Sequence, residues 1–343
     1  MAANTSNIIC TDQDFLTSAL QYRQELLRIP VLHVMQVLQN MTIRTGIRYA
    51  QKQYLMDADM EFRDYNPESG KKLDVTVDPR TLYTYFGDVK RFFDPNQFYK
   101  TFLGSDIVKG EALAGVEIAR KVLALVAGKL GHNLVKHIFD AKRVEGSDTS
   151  AGLYNGFDTI TAAEIEKGAI SAAKGNLYQF TEKLDRTNAV DGIKDFVDSA
   201  DDFLLDKEKV FLYMPRNAYR DYCEDYKTTT GAIPYNREFN QVCLEGQENV
   251  IFLPMAQKRG SEFMQLTTKD NMLVGVNQMG DEEKVVVEKH DVVLLTFYAS
   301  LFFGVDFERV EKEWLHVAKF YKAPATTGND PAGGAPGNQT GEE

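Results

Sequence analysis

The sequence is poor in cysteine and has no long uninterrupted apolar run. Only three cysteines occur in 343 residues, so at least one is unpaired and a disulfide scaffold is excluded: Cys10, Cys223 and Cys243. A reducing compartment is the simplest interpretation. The longest apolar stretch, residues 292–305, is interrupted by Thr296 and Ser300 and is shorter than the ~20 residues of a membrane helix. It therefore predicts buried core and no membrane span.

Positive charge is also scarce. Lys and Arg total 39 against 50 Asp and Glu, a formal net charge of -11, which disfavours a free-standing nucleic-acid binder. The negative net charge is compatible with a protein that encloses nucleic acid without binding it tightly. A composition of 43% hydrophobic and 26% charged residues excludes wholesale disorder. Residues 1–9 lack the basic and apolar regions of a signal peptide, so we expect synthesis in the cytoplasm.

Motifs that carry chemistry are missing as well. The sequence has no phosphate-binding G-x-x-x-x-G-K-[ST] or G-x-G-x-x-G, no H-E-x-x-H or C-x-x-C, and no G-x-S-x-G. His132 and His137 are five residues apart, which on a helix points them away from each other. Asp57, Asp59 and Glu61 alternate as a charged strand face would, with a calcium site as the alternative. We therefore expect no catalysis, no cofactor and no metal.

A long β-hairpin is predicted near the N-terminus, after a helix over residues 12–39 that Pro30 ends or kinks. Residues 66–70, Asn-Pro-Glu-Ser-Gly, form a turn signal, and apolar residues then alternate with polar ones over 73–77. The tip is expected near Gly70. The hairpin and its flank are rich in aromatics and either pack on their own domain or dock on a neighbouring subunit: Tyr54, Phe62, Tyr65, Tyr83, Tyr85, Phe86, Phe92 and Phe93.

A long helix and then a mixed region are predicted beyond the hairpin. Apolar residues three and four apart predict a helix over 111–142, which Gly128 could break. Further helices are predicted over 162–173 (capped by Thr161), 189–205 and 217–226, with strands over 209–215 and 249–254. The last predicted elements are a hairpin of 263–266 with 273–276, strands over 285–287 and 292–305, a short helix in 307–321 carrying Trp314, and a disordered tail over 323–343.

This order of elements is more informative than any motif. The telling segments are the hairpin, the 111–142 helix, and four stretches: GSDTSAGLYNGFDTI from Gly146, KVFLYMPRNAYRDY from Lys209, LTTKDNMLVGVN from Leu266 and VVLLTFYASLFFGVDF from Val292. Together they resemble the major capsid protein of tailed bacteriophages, whose shell fold is shared with encapsulins.

The resemblance implies an α+β phage capsid shell fold. Its expected parts are an N-terminal arm, an extended β-hairpin loop, a peripheral domain with a long spine helix and β-sheet, and an α/β axial domain. The expected boundaries are 1–41 for the arm, 42–104 for the hairpin loop and its lead into the peripheral domain, 105–147 with 284–322 for the peripheral domain, 148–283 for the axial domain and 323–343 for the tail.

The resemblance also implies a function. It predicts a non-enzymatic structural protein that assembles through hexamers and pentamers into an icosahedral viral capsid around double-stranded DNA. Expected partners are further copies of the chain and, where present, separate scaffolding, portal and decoration proteins, with no membrane. The expected location is the virion capsid after synthesis in the host cytoplasm. Five aromatics are predicted to contact neighbouring subunits: Phe62, Tyr65, Tyr83, Tyr85 and Phe86.

Three other interpretations stay open at this stage. The first is an encapsulin-like shell that holds an enzyme cargo. The second is a two-domain intracellular enzyme with its active site in the α/β region, residues 151–255. The third is a tail-tube or other phage structural subunit, which would be richer in β-structure and would lack the 111–142 helix.

Overall fold

The structure is a computed structural model, and it describes residues 39–58, 75–93, 115–231, 243–277, 286–289 and 295–321. The described strands are β1 Thr42–Arg44, β2 Ala50–Ala58, β3 Val75–Tyr83, β4 Tyr85–Phe93, β5 Leu177–Gln179, β6 Val210–Pro215, β7 Cys243–Leu244, β8 Gln247–Met255, β9 Phe263–Thr267, β10 Met272–Val276, β11 Val286–Lys289, β12 Leu295–Phe307 and β13 Leu315–Lys319. The described helices are α1 Gly115–Lys136, α2 Phe157–Glu166, α3 Ala189–Asp198, α4 Asp202–Leu205 and α5 Arg216–Thr230. The mixture of helices and strands is that of the expected α+β class.

The predicted hairpin is present. Strands β2 and β3 pair antiparallel in a two-stranded ribbon, from Ala50 opposite Tyr83 to Ala58 opposite Val75. The predicted tip near Gly70 lies outside the described residues, as do the N-terminal helix and the tail.

A five-stranded sheet is built around β12, the longest described strand. Strands β10 and β11 pair antiparallel with its two ends along one edge, and β4 pairs with it along the other edge. Strand β1 adds to β10 in parallel. The apolar run at 292–305 therefore forms a strand from Leu295 onward, as its β-branched and aromatic composition predicts.

The six-stranded sheet has the order β5-β13-β9-β6-β8-β7 and is covered on both faces. All six residues of β6 are buried, and its side chains alternate between two hydrophobic clusters. Phe211 and Tyr213 join the cluster that contains the end of α1, α2 and the five-stranded sheet. Leu212 and Met214 join the cluster formed with α3 and α5. Burial on both faces explains why β6 is a continuous apolar run in the sequence.

The predicted hairpin of 263–266 with 273–276 is wrong. Both segments are strands, but β9 pairs with β6 and β13, whereas β10 pairs with β1 and β12 in the other sheet. A 3₁₀ turn, Lys269–Asn271, separates them. The buried Asn271 side chain donates to Thr267 Oγ1 at 2.9 Å and to the Arg309 carbonyl at 3.0 Å, which fixes the chain where it crosses between the sheets.

The helix predicted over 162–173 begins earlier, at Phe157, and ends earlier, at Glu166, and Thr161 does not cap it. The first N–H groups of α2 donate to the carbonyls of Ile138 and Phe139, which follow α1. The N-cap is Gly156, where a Cβ would lie 2.3 Å from the Phe139 carbonyl oxygen. Thr161 is inside the helix and donates to the Phe157 carbonyl. A tertiary contact, invisible to a local capping rule, therefore sets the helix start.

Three other helix predictions need correction. Helix α1 ends at Lys136 and runs through Gly128 without a break. The single helix over 189–205 is two helices, because Asp201 accepts the Phe203 N–H and starts α4. The segment carrying Trp314 continues as the strand β13, which lies between β5 and β9 with four buried residues in a row.

The two sheets exchange strands across the domain boundary predicted at 283/284. Strand β10 falls in the predicted axial domain but pairs with β12, and β13 falls in the predicted peripheral domain but lies in the six-stranded sheet. The domain boundaries themselves stay a prediction.

Stability should depend on pH through His316, which lies on β13 and is 2% exposed. Its Nε2 is 2.9 Å from Ser199 Oγ, its ring stacks on Phe196, and burial lowers its pKa from 6.5 to about 4. The unfolded chain then binds the proton more readily between those values, so stability is full above pH ~6.5 and falls towards pH ~4, by on the order of 3 kcal/mol. Urea unfolding across this range should show a steeper decline than in His316→Phe, which keeps the stacking; equal slopes would contradict the assignment.

Candidate assembly surface

The hairpin joins the five-stranded sheet through a single residue, Thr84, between β3 and β4. Thr84 is buried, and its N–H donates to the Tyr49 carbonyl at 2.8 Å. Gly304 of β12 lies against this crossing, because a Cβ there would be 2.0 Å from the Tyr83 carbonyl oxygen and 3.0 Å from Thr84 Cα. We call Tyr49, Tyr83, Thr84 and Gly304 the hairpin joint. Its close backbone contacts fix how the ribbon leaves the sheet.

Tyr49 holds an uncommon backbone conformation in the joint. Its φ is 64°, the left-handed region in which a residue with a Cβ is disfavoured. The ring contacts Phe302 edge to face, with centroids 5.0 Å apart. This contact and the hydrogen bond from Thr84 offset the backbone cost.

An ion cluster ties the ribbon to the body of the protein. Arg80, near the end of β3, donates through Nε and Nη2 to Asp306 Oδ1 on β12, at 3.2 and 2.6 Å. Its Nη2 is also 3.6 Å from Glu164 Oε1 on α2, and the three side chains are only 12–16% exposed. Burial raises the pKa of Asp306, and Arg80 opposes that rise. One guanidinium therefore holds together the hairpin, β12 and α2.

Large aromatic side chains remain uncovered around the joint. Tyr49 is 66% exposed, Tyr83 56% and Phe86 45%, and the ring of Phe86 contacts the buried Phe302 with centroids 5.1 Å apart. We call Tyr49, Tyr83 and Phe86 the joint aromatics. Tyr49 and Phe86 both contact Phe302, and exposed aromatics grouped on a buried one are typical of an interaction surface.

The five residues predicted to contact other subunits are placed differently. Tyr83 and Phe86 are exposed at the joint. Tyr85 faces the opposite side of β4, where the Arg143 guanidinium lies 4.0 Å from its ring centroid and the core packs against it. Phe62 and Tyr65 lie outside the described residues. Intersubunit contact by any of the five stays a prediction.

Several cavities lie among the described residues. They measure about 430–610 Å³, and no group of three or more His, Cys, Asp or Glu in the described ranges could hold a metal. Burial lowers the pKa of Lys207, in the largest of them, to about 8. Its Nζ already donates to the Glu313 carbonyl and lies 3.3 Å from the Trp314 ring centroid. The Glu313 carbonyl and the Trp314 ring therefore hold this amine in place.

The residues that fix the hairpin were not found by sequence reasoning. Arg80 and Asp306 are 226 positions apart, so no local pattern links them. Gly304 is one glycine among 25, and only the Tyr83 carbonyl against it shows its role.

In the part of the chain that the structure describes, no helix has the length and apolarity needed to cross a membrane.

Comparison with known proteins identifies the fold. No protein-family model and no curated protein matches the sequence. A chain of the satellite phage P4 procapsid, a structure that includes the size determination (Sid) protein, matches with a TM-score of 0.55 at 10% identity over 88% of this chain and 91% of its own. A chain of the cyanophage A-1(L) capsid asymmetric unit matches at 0.54 with 9% identity, over 86% and 93%. The capsid of Myoviridae phage XM1 gives 0.50 with 9% identity, over 84% and 92%.

The fold is therefore the shell fold of tailed-phage capsid proteins, and the resemblance drawn from the order of elements is confirmed at the level of fold. The hairpin joint, the ion cluster and the two sheets described above are the particular features of this chain within that fold.

Proposed function

We propose that this protein is the structural subunit of an icosahedral viral capsid that assembles through hexamers and pentamers around double-stranded DNA. The observation that carries the proposal is the length of the structural match, which covers 88% of this chain and 91% of a phage procapsid chain. A likeness confined to one sheet or one domain would be weak support, since common folds host many functions. A likeness that covers 88% of one chain and 91% of the other extends beyond a single sheet or domain.

The hairpin supports assembly on physical grounds. A two-stranded ribbon is marginally stable in water and exposes unpaired edges. Here its base is fixed by Arg80 and by the hairpin joint, so it is held in one direction before any partner is present. A neighbouring copy that covers the joint aromatics would bury apolar surface, and repeated head-to-tail contacts of this kind close into rings.

The shell's contents are a second question. The net charge of -11 fits a wall that encloses DNA without binding it tightly. The encapsulin-like alternative, with enzyme cargo, predicts protein instead of nuclease-protected DNA inside purified particles. Scaffolding, portal and decoration proteins would be partners of a DNA-filled shell, which would be built in the host cytoplasm and end in the virion.

Assembly is tested by native size together with the joint aromatics. The purified protein should form closed shells, or rings with five- and six-fold symmetry, by light scattering and negative-stain electron microscopy. Tyr83→Ser/Phe86→Ser should remain small, with an unchanged far-UV circular dichroism spectrum, because the apolar contact is lost while the fold is kept. The matched control is Phe203→Ser, which removes an aromatic on α4 that is 72% exposed and should still assemble. A wild-type chain that stays a monomer or dimer at high concentration and salt would overturn the proposal.

A further inference from the structure

A buried lysine and a buried aspartate meet where α2 packs against β9. Lys258, at the end of a 3₁₀ turn after β8, has no exposed surface, and its Nζ lies 2.9 Å from Asp158 Oδ1 on α2. The same Nζ lies 4.3 Å from the ring centroid of Phe139. The amine and the carboxyl group are thus held in contact inside the core that joins the two sheets.

Gln265 of β9 touches both groups. Its Oε1 accepts a hydrogen bond from Lys258 Nζ, and its Nε2 donates to Asp158 Oδ1 at 2.8 Å. Gln265 is itself fully buried, so a fixed side chain orients the two partners. Groups held in this way react as if at very high concentration, because the entropy of bringing them together has already been lost in folding.

The surroundings weaken the charged form of Lys258. Burial lowers the pKa of Lys258, which favours the uncharged, nucleophilic amine, although Asp158 opposes the shift. A buried ion pair carries a desolvation penalty for each ion. Condensation to an amide removes both charges, so the dry site favours it more than water does.

We propose that Lys258 Nζ and Asp158 Cγ join in an isopeptide bond within the chain. The ammonium first gives a proton to the carboxylate along the 2.9 Å contact. The neutral Nζ attacks Cγ, the new C–N bond forms, and the second departing proton of nitrogen moves to the leaving oxygen. The C–O bond then breaks and one water leaves, so ammonium plus carboxylate become one amide and one water. Gln265 Nε2 polarises the carboxyl group and its Oε1 holds the amine.

The leaving water has a route out. Asp158 lines a cavity of about 480 Å³ that also borders Thr159, Glu166 and Arg259. Lys258 is not among the residues lining that cavity, so the amine stays dry while the carboxyl group reaches solvent-accessible space.

Two other lysine–carboxylate contacts in the chain serve as internal controls. Lys312 Nζ is 2.7 Å from Asp201, and Lys167 Nζ is 3.2 Å from Glu164, yet these lysines are 51% and 68% exposed. The hydrogen bond that Lys312 donates to Asp201 raises the pKa of Lys312, the opposite direction to Lys258. Distance alone would predict condensation at all three pairs, whereas burial predicts it at Lys258 only.

Mass spectrometry of the denatured wild-type protein tests the proposal. The intact mass should be lower than the sequence mass by one water. A tryptic digest should contain a branched peptide in which 144–167 is joined to 238–259, with no cleavage after Lys258, while Lys312 and Lys167 are cleaved normally. A full-mass chain cleaved after Lys258 would overturn the proposal. So would water loss without the branched peptide, which would indicate a cyclic imide at an aspartate.

Lys258→Arg provides the variant control. It keeps a positive charge but removes the nucleophilic amine, so it should show the full mass; loss of a water in this variant would place the reaction elsewhere and contradict the assignment. On denaturing gels the wild-type chain should run faster than Lys258→Arg, because the bond closes a loop between positions 100 apart. These readouts come from denatured polypeptide, so they do not depend on variant folding or on whether the protein forms a shell.

Discussion

Replacing Arg80 by methionine is expected to lower the free energy of unfolding by about 3–5 kcal/mol and to abolish assembly. The substitution keeps an apolar stem but removes the only cation between Asp306 and Glu164 that the structure shows buried with them. Asp306 would then lose its cation partner beside Glu164, whose remaining partner is the exposed Lys167. Urea unfolding at neutral pH measures the stability change, and electron microscopy measures the assembly.

Arg44→Met is the matched control for Arg80→Met. Arg44 also pairs with a carboxylate, Glu308, at 2.9 Å, but these side chains are 38% and 31% exposed. A pair open to water contributes about 0–1 kcal/mol, so this variant should unfold and assemble nearly as the wild type does. Similar losses in both variants would contradict the role given to the buried cluster.

A double variant separates stability from hairpin position. Arg80→Met/Asp306→Asn removes the cation together with the carboxylate that it holds, so most of the lost stability should return. The hairpin would still lack its tie to β12 and α2, and shells should remain few. Recovery of full assembly with the double variant would show that Arg80 acts through stability alone.

The sequence was sufficient where the signal is local. The turn at 66–70 with alternation on its far side predicted the β2–β3 ribbon, and the β-branched, aromatic run predicted β12. Apolar spacing predicted α1 and α5, and short apolar runs predicted β6 and β8. In each case neighbouring residues alone determine the backbone, so the pattern and the structure agree.

Sequence patterns did not predict the features of the fold that contacts between distant residues determine. Strands β9 and β10 look like a hairpin, but Asn271 binds Thr267 and the Arg309 carbonyl and sends the chain into the other sheet. Helix α2 starts at Phe157 because the residues after α1 accept its first N–H groups. The residues of the candidate assembly surface also differ in how far the sequence predicts them. Exposed aromatics such as Tyr83 and Phe86 could be suspected from composition, whereas the partners of Arg80 required the folded chain.

Gly304→Ala is expected to displace the hairpin and to stop assembly at a cost of about 1–3 kcal/mol in unfolding free energy. The added methyl group would stand 2.0 Å from the Tyr83 carbonyl oxygen and 3.0 Å from Thr84 Cα. Both obstacles are backbone atoms at the hairpin joint, so the ribbon itself must move. Urea unfolding gives the cost, and particle counts by electron microscopy give the assembly.

Gly87→Ala tests whether assembly is lost because the hairpin backbone is displaced or only because a methyl group is added to the sheet. Gly87 lies on β4, which pairs with β12, and a Cβ there would be 2.8 Å from Leu153 Cδ2, the end of a flexible side chain. Leu153 can change rotamer, so this variant should cost less than Gly304→Ala and should still form shells. The comparison isolates the joint because both changes add one methyl group to neighbouring strands of the same sheet. If Gly304→Ala assembled as well as Gly87→Ala, the direction of the hairpin would be adjustable by the neighbouring subunit, and the joint would not set it.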